Sequence, residues 1–426
     1  MDRLLKFTAL ALICLLFAGC SASLVRQGEM AIEQDNLDQA ATHFQQALDE
    51  NPDDVRALTG LGRVHYTREE YARAEDYLAS AHRIDPADPT AAFYLGLARE
   101  QQEEYAGAEG AYEAFLATDP DDDAAKAVRG RLLYLRNQAL RKQSLQAIRL
   151  EQTLVTDTLG RPIVAVLPFT LASDSSDSLA SLAKGVAAAV TYDLFQVKSL
   201  RIVERMRLND VLAELALVES GSVDLASAPR LGRIVGADHL VNSSMEFIDN
   251  QNVSVQTGIV EPSQALFQLA LTTQEEYLRV WKLQKDITFA IIDSLGVELT
   301  PAERNAIEKI PTESFPAFFA FSKGIEQLDQ GNVERANEYF AEAAQIDPGF
   351  QQATEMEEET GLLLSGSVPA GQFESMMAGF VTPPPTFDLG PTRDFFNAGG
   401  ERAADPRDDD DPAVETGRTS VGGTIP

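Results

Sequence analysis

The chain has 426 residues, of which 44% are hydrophobic, so it can fill the cores of two or three domains. Its 66 acidic and 35 basic side chains give a net charge of −31, and this argues against a nucleic-acid partner, because such contacts need clustered Lys and Arg. The chain has two cysteines, and one of them, Cys14, lies in the predicted signal peptide, residues 1–19. Cys20 is then left without a partner for a disulfide. We therefore expect burial of apolar side chains, rather than disulfides, to stabilise the fold.

Residues 1–19 have the features of a secretory signal peptide. Basic residues precede an apolar run that ends in Ala18-Gly19, and Cys20 follows directly. This combination is typical of a bacterial lipoprotein box, in which Cys20 becomes the lipidated first residue. Cleavage with an incidental cysteine is the alternative. Ser21 resembles the sorting pattern for the outer membrane, so we predict a chain that is lipid-anchored there, facing the periplasm.

A thirty-four-residue repeat follows, over residues 20–122. It is marked by three prolines, three alanines and three glycines at that spacing: Pro52, Pro86, Pro120; Ala40, Ala74, Ala108; and Gly28, Gly62, Gly96. The period and pattern resemble the tetratricopeptide repeat, a pair of antiparallel helices. We place the repeats at 21–54, 55–88 and 89–122, as an N-terminal all-α array.

The resemblance implies a concave groove, lined by the first helix of each repeat, that binds protein segments. Envelope or secreted proteins are the expected partners. The family's groove positions fall on Arg56, Arg63, Tyr66, Phe93 and Leu97. The alternative is that these side chains are solvated or pack between repeats.

Residues 123–158 predict a basic capping or linker helix. Seven Lys and Arg residues lie between 126 and 149, without any acid. In the first interpretation, Val128, Leu132, Leu135 and Ala139 face the array and cap it. Two others remain open: an acidic tail docks on this helix, or the helix binds a membrane surface.

Residues 159–300 predict an α/β domain. The aliphatic run Ile163 to Leu167 is typical of a strand buried on both faces. A small-residue helix, a strand at 200–204, two helices and a strand at 237–247 follow, which indicates crossover connections. Two further strands predict a hairpin around Glu261-Pro262, and a long helix is expected over 274–296.

Several of these segments resemble the curli-assembly/transport (CsgG-type) domain. They are "IVAVLPF", the helix around Gly185, "LRIVERMRLNDVLAEL" and "SGSVDLASAPRLGRIVGADHLV". Members of this family are outer-membrane lipoproteins; some form secretion rings, and others act in appendage assembly or regulate cell-wall synthesis. The resemblance therefore implies possible homo-oligomers through this domain. It also implies that Gly236 ends a helix in a left-handed conformation.

The chain departs from the ring-forming members. Those members contribute two membrane hairpins per subunit, whereas here only residues 252–271 have room for one, interrupted by Gly258 and Pro262. The girdle aromatics of membrane strands are also missing apart from Phe267. The soluble half of the domain is the preferred interpretation, and a subunit of a curli-type secretion channel is the alternative.

The C-terminal part divides in two. Residues 301–364 contain a fourth copy of the repeat, with Gly324, Ala336 and Phe340 in register; one hairpin must pack on a neighbour to bury both faces. Residues 365–426 are rich in proline, glycine and acids, which predicts a disordered acidic tail. Docking of this tail on a basic partner is the alternative.

No enzymatic motif is convincing. Ser181 and Lys184 match Ser-x-x-Lys but lack the companion motifs of penicillin-recognising enzymes, and we expect no catalytic residues, metal or cofactor. The sequence thus predicts a periplasmic protein-binding scaffold for assembly, secretion or regulation of an envelope or surface-appendage machine. A lipoprotein regulator of cell-wall synthesis is a second alternative beside the channel subunit.

Overall fold

The structure is a computed structural model that describes residues 22–151, 160–171, 177–215, 227–248, 252–263 and 266–381. An all-α array comes first, an α/β domain follows, and a second set of helices ends the described part. This is the predicted fold class.

The array consists of three helical hairpins. Their helices are α1 (22–33), α2 (Leu37–Glu50), α3 (Val55–Thr67), α4 (Tyr71–Ile84), α5 (Pro89–Gln101) and α6 (Tyr105–Leu116). The glycine of each first helix lies against a large side chain of the second helix, because only a residue without Cβ lets the helices approach. A Cβ on Gly96 would lie 2.7 Å from the Tyr112 ring, and Gly62 meets Leu78 in the same way.

A single long helix, α7 (Asp122–Arg149), follows the array. Its N-terminus is capped by Asp121, whose Oδ1 accepts from the Ala124 amide at 2.9 Å. Val128, Leu132 and Leu135 are buried in one apolar cluster with repeat three. The helix therefore extends the array.

The α/β domain contains a six-stranded sheet in the order β3-β1-β4-β5-β6, with β2 paired to β4. The strands are β1 (Ile163–Val166), β2 (Thr170–Leu171), β3 (Arg201–Ile202), β4 (His239–Phe247), β5 (Asn252–Glu261) and β6 (Leu266–Glu276). β1 runs parallel to β3 and β4, whereas β4, β5 and β6 are antiparallel. The predicted buried first strand and the predicted hairpin are both present.

Helices cover both faces of the sheet. They are α8 (Asp177–Phe195) and α11 (Val280–Ser294) on one face, and α9 (Arg205–Glu214) and α10 (Ala228–Val235) on the other. Val164 and Val166 of β1 pack with α8 and α11, while Ala165 and Leu167 pack with α9 and α10. This alternation explains the continuous aliphatic run of β1.

The turn into β4 depends on Gly236 and Asp238. Gly236 has a φ of 70°, the predicted left-handed conformation, and ends α10. Asp238 then binds the start of β1 twice: its Oδ2 accepts from the Ile163 amide at 2.9 Å, and its own amide donates to the Ile163 carbonyl at 2.8 Å. Asp238 therefore sets the register of the two central strands.

The C-terminal helices join the two parts of the chain. They are α12 (Pro301–Glu308), α13 (Phe315–Asp329), α14 (Val333–Ile346), α15 (Gln351–Gly366) and α16 (Ala370–Val381). Helix α13 of the fourth repeat packs on α8, where Gly185 meets Ser322, and α15 packs on α7. The fourth repeat thus buries its outer faces on the α/β domain and on α15, and α15 in turn packs on α7.

Two predictions from the sequence are wrong. Residues 365–381 are not a disordered tail, since α16 forms there and buries Phe373, Met377 and Val381; residues 382–426 lie outside the described part. The long helix predicted from 274 begins only at Val280, because residues up to Glu276 pair with β5. Among the described residues, no helix combines the length and apolar composition that crossing a membrane requires.

The contact between α7 and α15 depends on two glycines. A Cβ on Gly366 would lie 2.0 Å from the carbonyl carbon of Gly130, so we expect Gly366→Ala to separate the helices and cost about 1–3 kcal/mol of unfolding free energy. Gly110→Ala is the control, because open space surrounds Gly110 in α6 and alanine favours a helix by about 0.5–1 kcal/mol. Urea unfolding measures the unfolding free energy of each variant. An unfolding free energy of Gly366→Ala as high as that of Gly110→Ala would contradict this prediction.

Helix α12 begins with a capping box between Thr300 and Glu303, and the Glu303 carboxyl titrates. The Thr300 hydroxyl and the Lys198 and Thr300 amides donate to Glu303, and these bonds lower the pKa of Glu303 from 4.5 to about 2. Because the pKa of Glu303 is lower in the folded chain than its ordinary value, the ionised carboxylate stabilises the fold above pH 4.5. This contribution is lost as the pH falls toward 2.

We expect Glu303→Gln to flatten the stability profile over this pH interval relative to the parent chain. Glu308→Gln removes a carboxylate from the last turn of the same helix and leaves the cap intact, so it is the control. Thermal unfolding across the acid range measures the difference. Parallel profiles for the parent chain and Glu303→Gln would show that the cap does not titrate as described.

Candidate protein-binding groove

Helices α3 and α5, the first helices of repeats two and three, form one face of the array together with α7. The predicted residue Arg56 lies on the open part of this face. Its side chain is exposed, and its Nη2 lies 2.8 Å from Glu29 Oε1 in the first repeat. An exposed ion pair of this kind contributes little stability and breaks readily, so Arg56 is accessible to a partner.

The other part of the face is covered by α16. Three predicted groove residues, Tyr66, Phe93 and Leu97, are buried there. The Phe373 ring of α16 lies 5.6 Å from the Phe93 ring and 6.1 Å from the Tyr112 ring, centroid to centroid. The groove therefore contains a helix of its own chain.

Arg63, the fifth predicted residue, lies at the boundary between the open and covered parts. It is half-buried, and its guanidinium lies over the Tyr94 ring at 5.3 Å. The Tyr94 hydroxyl donates to Glu374 Oε1 of α16 at 3.0 Å. Burial raises the pKa of Glu374, and the Tyr94 hydrogen bond and the charge of Arg63 oppose this increase. Burial also raises the pKa of Tyr94 to about 12, so Tyr94 acts as a neutral donor.

A buried arginine lies beneath this interface. Arg131 of α7 is 1% exposed; its Nε donates to Glu100 Oε2 at 2.9 Å and its Nη2 to Glu100 Oε1. Its Nη1 donates to the carbonyl of Gly366 at 2.7 Å and to that of Val368. The guanidinium also lies 5.0 Å from the Phe373 ring. One cation thus joins repeat three to the segment that leads into α16.

Other cations of α7 pair with carboxylates of repeat three. Arg136 Nε donates to Glu109 at 2.7 Å, and Lys142 Nζ donates to Glu103 at 2.8 Å. The acid-free composition of α7 therefore complements an acidic neighbour.

Lys184 of the Ser-x-x-Lys match takes part in a different contact. Its Nζ lies 3.0 Å from Glu326 of α13, and Arg205 pairs with Asp329 one turn further along α13. Ser181 is buried in the same helix as Lys184. These cations hold the fourth repeat against the α/β domain.

Sequence reasoning missed the residues of α16 that occupy the groove. Their pattern was available: Phe373, Met377 and Val381 recur every four residues, the spacing of one helix face. A second signal lies in α5, where residues 91–98, "AAFYLGLA", carry no charged side chain, and the structure buries all of them. A helix that is apolar on every side must be covered on every side.

No cluster of His, Cys, Asp or Glu suited to a metal occurs within the described ranges. Comparison with known families gives two matches. Residues 25–89, 81–123 and 93–141 match the family model of the tetratricopeptide repeat. Residues 141–260 match that of the curli production assembly/transport component CsgG. No curated protein matches the chain.

Several solved structures have some similarity to this chain. A mutant O-GlcNAc transferase from Thermobaculum terrenum is 14% identical, with 46% of this chain and 40% of that chain covered and a TM-score of 0.27. A tetratricopeptide repeat protein from Parabacteroides merdae is 12% identical, with 80% and 99% covered and a TM-score of 0.26. Yeast Tom70 is 11% identical, with 85% and 70% covered and a TM-score of 0.27.

Proposed function

We propose that this chain, which combines tetratricopeptide repeats with a CsgG-type domain, is a protein-binding scaffold of the bacterial outer membrane. Lipid on Cys20 anchors it, the chain faces the periplasm, and its repeats bind proteins that assemble, secrete through or regulate an envelope or surface-appendage machine. The CsgG-type domain docks on that machine or associates with further copies of itself.

One observation carries the scaffold proposal: the C-terminal helices pack both on the α/β domain and on α7, the helix that extends the repeats. Helix α13 packs on α8, with Lys184 paired to Glu326, and α15 packs on α7 through Gly130 and Gly366. A partner in the groove and a partner on the α/β domain are therefore held at a fixed separation. Fixed geometry raises the effective concentration of the second partner, as an assembly scaffold requires.

The membrane anchor agrees with the position of the array. Residue 22, two residues after Cys20, already lies in helix α1, so lipid on that cysteine keeps the repeats within a short distance of the membrane surface. Many copies on one membrane then bind a multivalent partner with avidity.

The first test is the native mass of protein extracted from membranes in mild detergent, beside a Cys20→Ala variant. We expect the parent chain in the membrane fraction and the variant in the soluble fraction. A monomer or dimer supports a tethered scaffold that docks on its machine, whereas a large closed ring supports the channel subunit and contradicts a scaffold without a pore. Equal solubility of both forms would contradict the lipid anchor.

The second test is photo-crosslinking in cells from position 56 on the open part of the groove. A partner is expected to crosslink from this position. The control is position 45, an exposed residue of α2, which is a second helix. Equal crosslinking from both positions, or none from position 56, would contradict binding through the groove.

A further inference from the structure

Helix α16 binds the groove through one face only. Phe373, Met377 and Val381 lie at positions i, i+4 and i+8 and are buried among aromatic residues of repeats two and three. This spacing places them on one stripe of an α-helix. The side chains of the groove thus form a surface complementary to a helix.

Polar contacts fix the orientation of the bound helix. Glu374, which follows Phe373, accepts from the Tyr94 hydroxyl at 3.0 Å near the Arg63 guanidinium. At the other end, the Thr90 hydroxyl donates to the carbonyl of Val381, one of the carbonyls that a helix leaves unpaired at its C-terminus. The groove therefore selects both the direction of a helix and an acid beside its first apolar residue.

The apolar stripe of α16 is wider than the part that the described groove residues cover. Met376 and Phe380 lie at positions i+3 and i+7 from Phe373, beside the buried residues, and are exposed at 43% each. One edge of the stripe is therefore buried and the other is exposed. Only Ser367–Pro369 separate α16 from α15. A short connection gives the tethered helix an effective concentration on the order of millimolar, so it fills the groove even when its intrinsic affinity is modest.

From this geometry we propose that the groove of repeats two and three binds an amphipathic α-helix of a partner protein, and that α16 occupies this site until that helix displaces it. The partner helix carries large apolar residues at i, i+4 and i+8 and an acid at i+1. This inference rests on the proposed scaffold function, because it names the class of segment that the repeats recognise.

The sequence of α16 offers a matched pair of variants. Phe373→Ala with Met377→Ala, the groove-face variant, removes one Phe and one Met from the side of α16 that is buried in the groove. Phe380→Ala with Met376→Ala, the exposed-edge variant, removes the same two residue types from the exposed edge of the stripe. The probe is a labelled peptide of residues 369–381, added to each full-length protein and followed by fluorescence anisotropy.

We expect the peptide to bind the groove-face variant at least about tenfold more tightly than the parent chain, because the competing helix is weakened. The exposed-edge variant should bind the peptide as weakly as the parent chain does. A groove-face variant that keeps its circular dichroism spectrum and still binds no peptide would overturn the proposal.

Hydrogen exchange on the unmodified chain covers the case in which the groove-face variant does not fold. If α16 is displaceable, its amides exchange before those of α5, through a local opening. If α16 and α5 exchange together, α16 is a permanent part of the core and the proposal fails. If a partner crosslinks from position 56 while the amides of α16 stay protected, the scaffold function is supported and only the displacement of α16 is refuted.

Discussion

We expect Arg131→Met to lower the free energy of unfolding by about 3–5 kcal/mol, the cost of removing one partner of a buried ion pair. Within the described ranges, Arg131 has the largest side chain among those that are almost completely buried. Without its guanidinium, the Glu100 carboxylate stays buried with the Tyr112 hydroxyl at 3.2 Å as its remaining donor in the described contacts. The carbonyls of Gly366 and Val368 lose a donor as well.

Arg136→Met is the matched control, because the residue lies in the same helix and also pairs with glutamates of α6, but its side chain is 52% exposed. We expect a change of about 1 kcal/mol or less for this variant. Urea unfolding measures both. Equal effects of the two substitutions would contradict a special role for the buried pair.

A double variant distinguishes the charge from the packing. Arg131→Met with Glu100→Leu removes both charges, and replacing a buried pair by apolar residues is often neutral. We expect it to recover part of the loss and not all, because the carbonyls of Gly366 and Val368 stay without the Nη1 donor. Hydrogen exchange should show the residual loss at α15 and α16.

The second large effect is expected in the core of the α/β domain. Lys285 of α11 lies with its Nζ 2.8 and 2.9 Å from the two carboxylate oxygens of Asp193 of α8, and both side chains are buried. Gln284 also donates to Asp193. We expect Lys285→Met to cost about 3–5 kcal/mol, since it leaves a buried carboxylate without its cation.

Lys282→Met is the control for this pair. Lys282 lies one turn earlier in α11 and pairs with Glu275, yet its side chain is 58% exposed, so we expect a change of at most about 1 kcal/mol. Lys285→Met combined with Asp193→Leu should be more stable than Lys285→Met alone, because no unpaired charge remains. A double variant that is less stable than the single one would refute this explanation.

Local patterns in the sequence were sufficient for the regular elements. The thirty-four-residue spacing of Pro, Ala and Gly predicted the repeats because each spacing reflects a contact within one hairpin, as between Gly96 and Tyr112. The aliphatic run from Ile163 predicted a strand covered on both faces. The left-handed helix end at Gly236 was instead implied by the resemblance to the curli-assembly domain, and its φ of 70° confirms it.

The residues that cover the groove could not be predicted from local patterns. Arg56, Arg63, Tyr66, Phe93 and Leu97 were assigned from the repeat pattern, and that pattern carries no information on what covers them. Phe373 and Phe93 are far apart in the chain, and their contact requires the fourth repeat and α15 to fold back onto α7. The Pro- and Gly-rich composition around α16 favoured disorder, but the apolar groove stabilises it as a helix.

By itself, the sequence determined the helical repeats, the succession of strands and helices along the α/β domain and the match to lipoprotein processing at Cys20, because each depends on residues close together in the chain. Only the tertiary structure decided that α7 pairs its cations with repeat three, that α13 packs on α8, and that α16 fills the groove. These contacts join distant segments by burial and charge pairing, and burial of a given side chain depends on neighbours that no local period specifies.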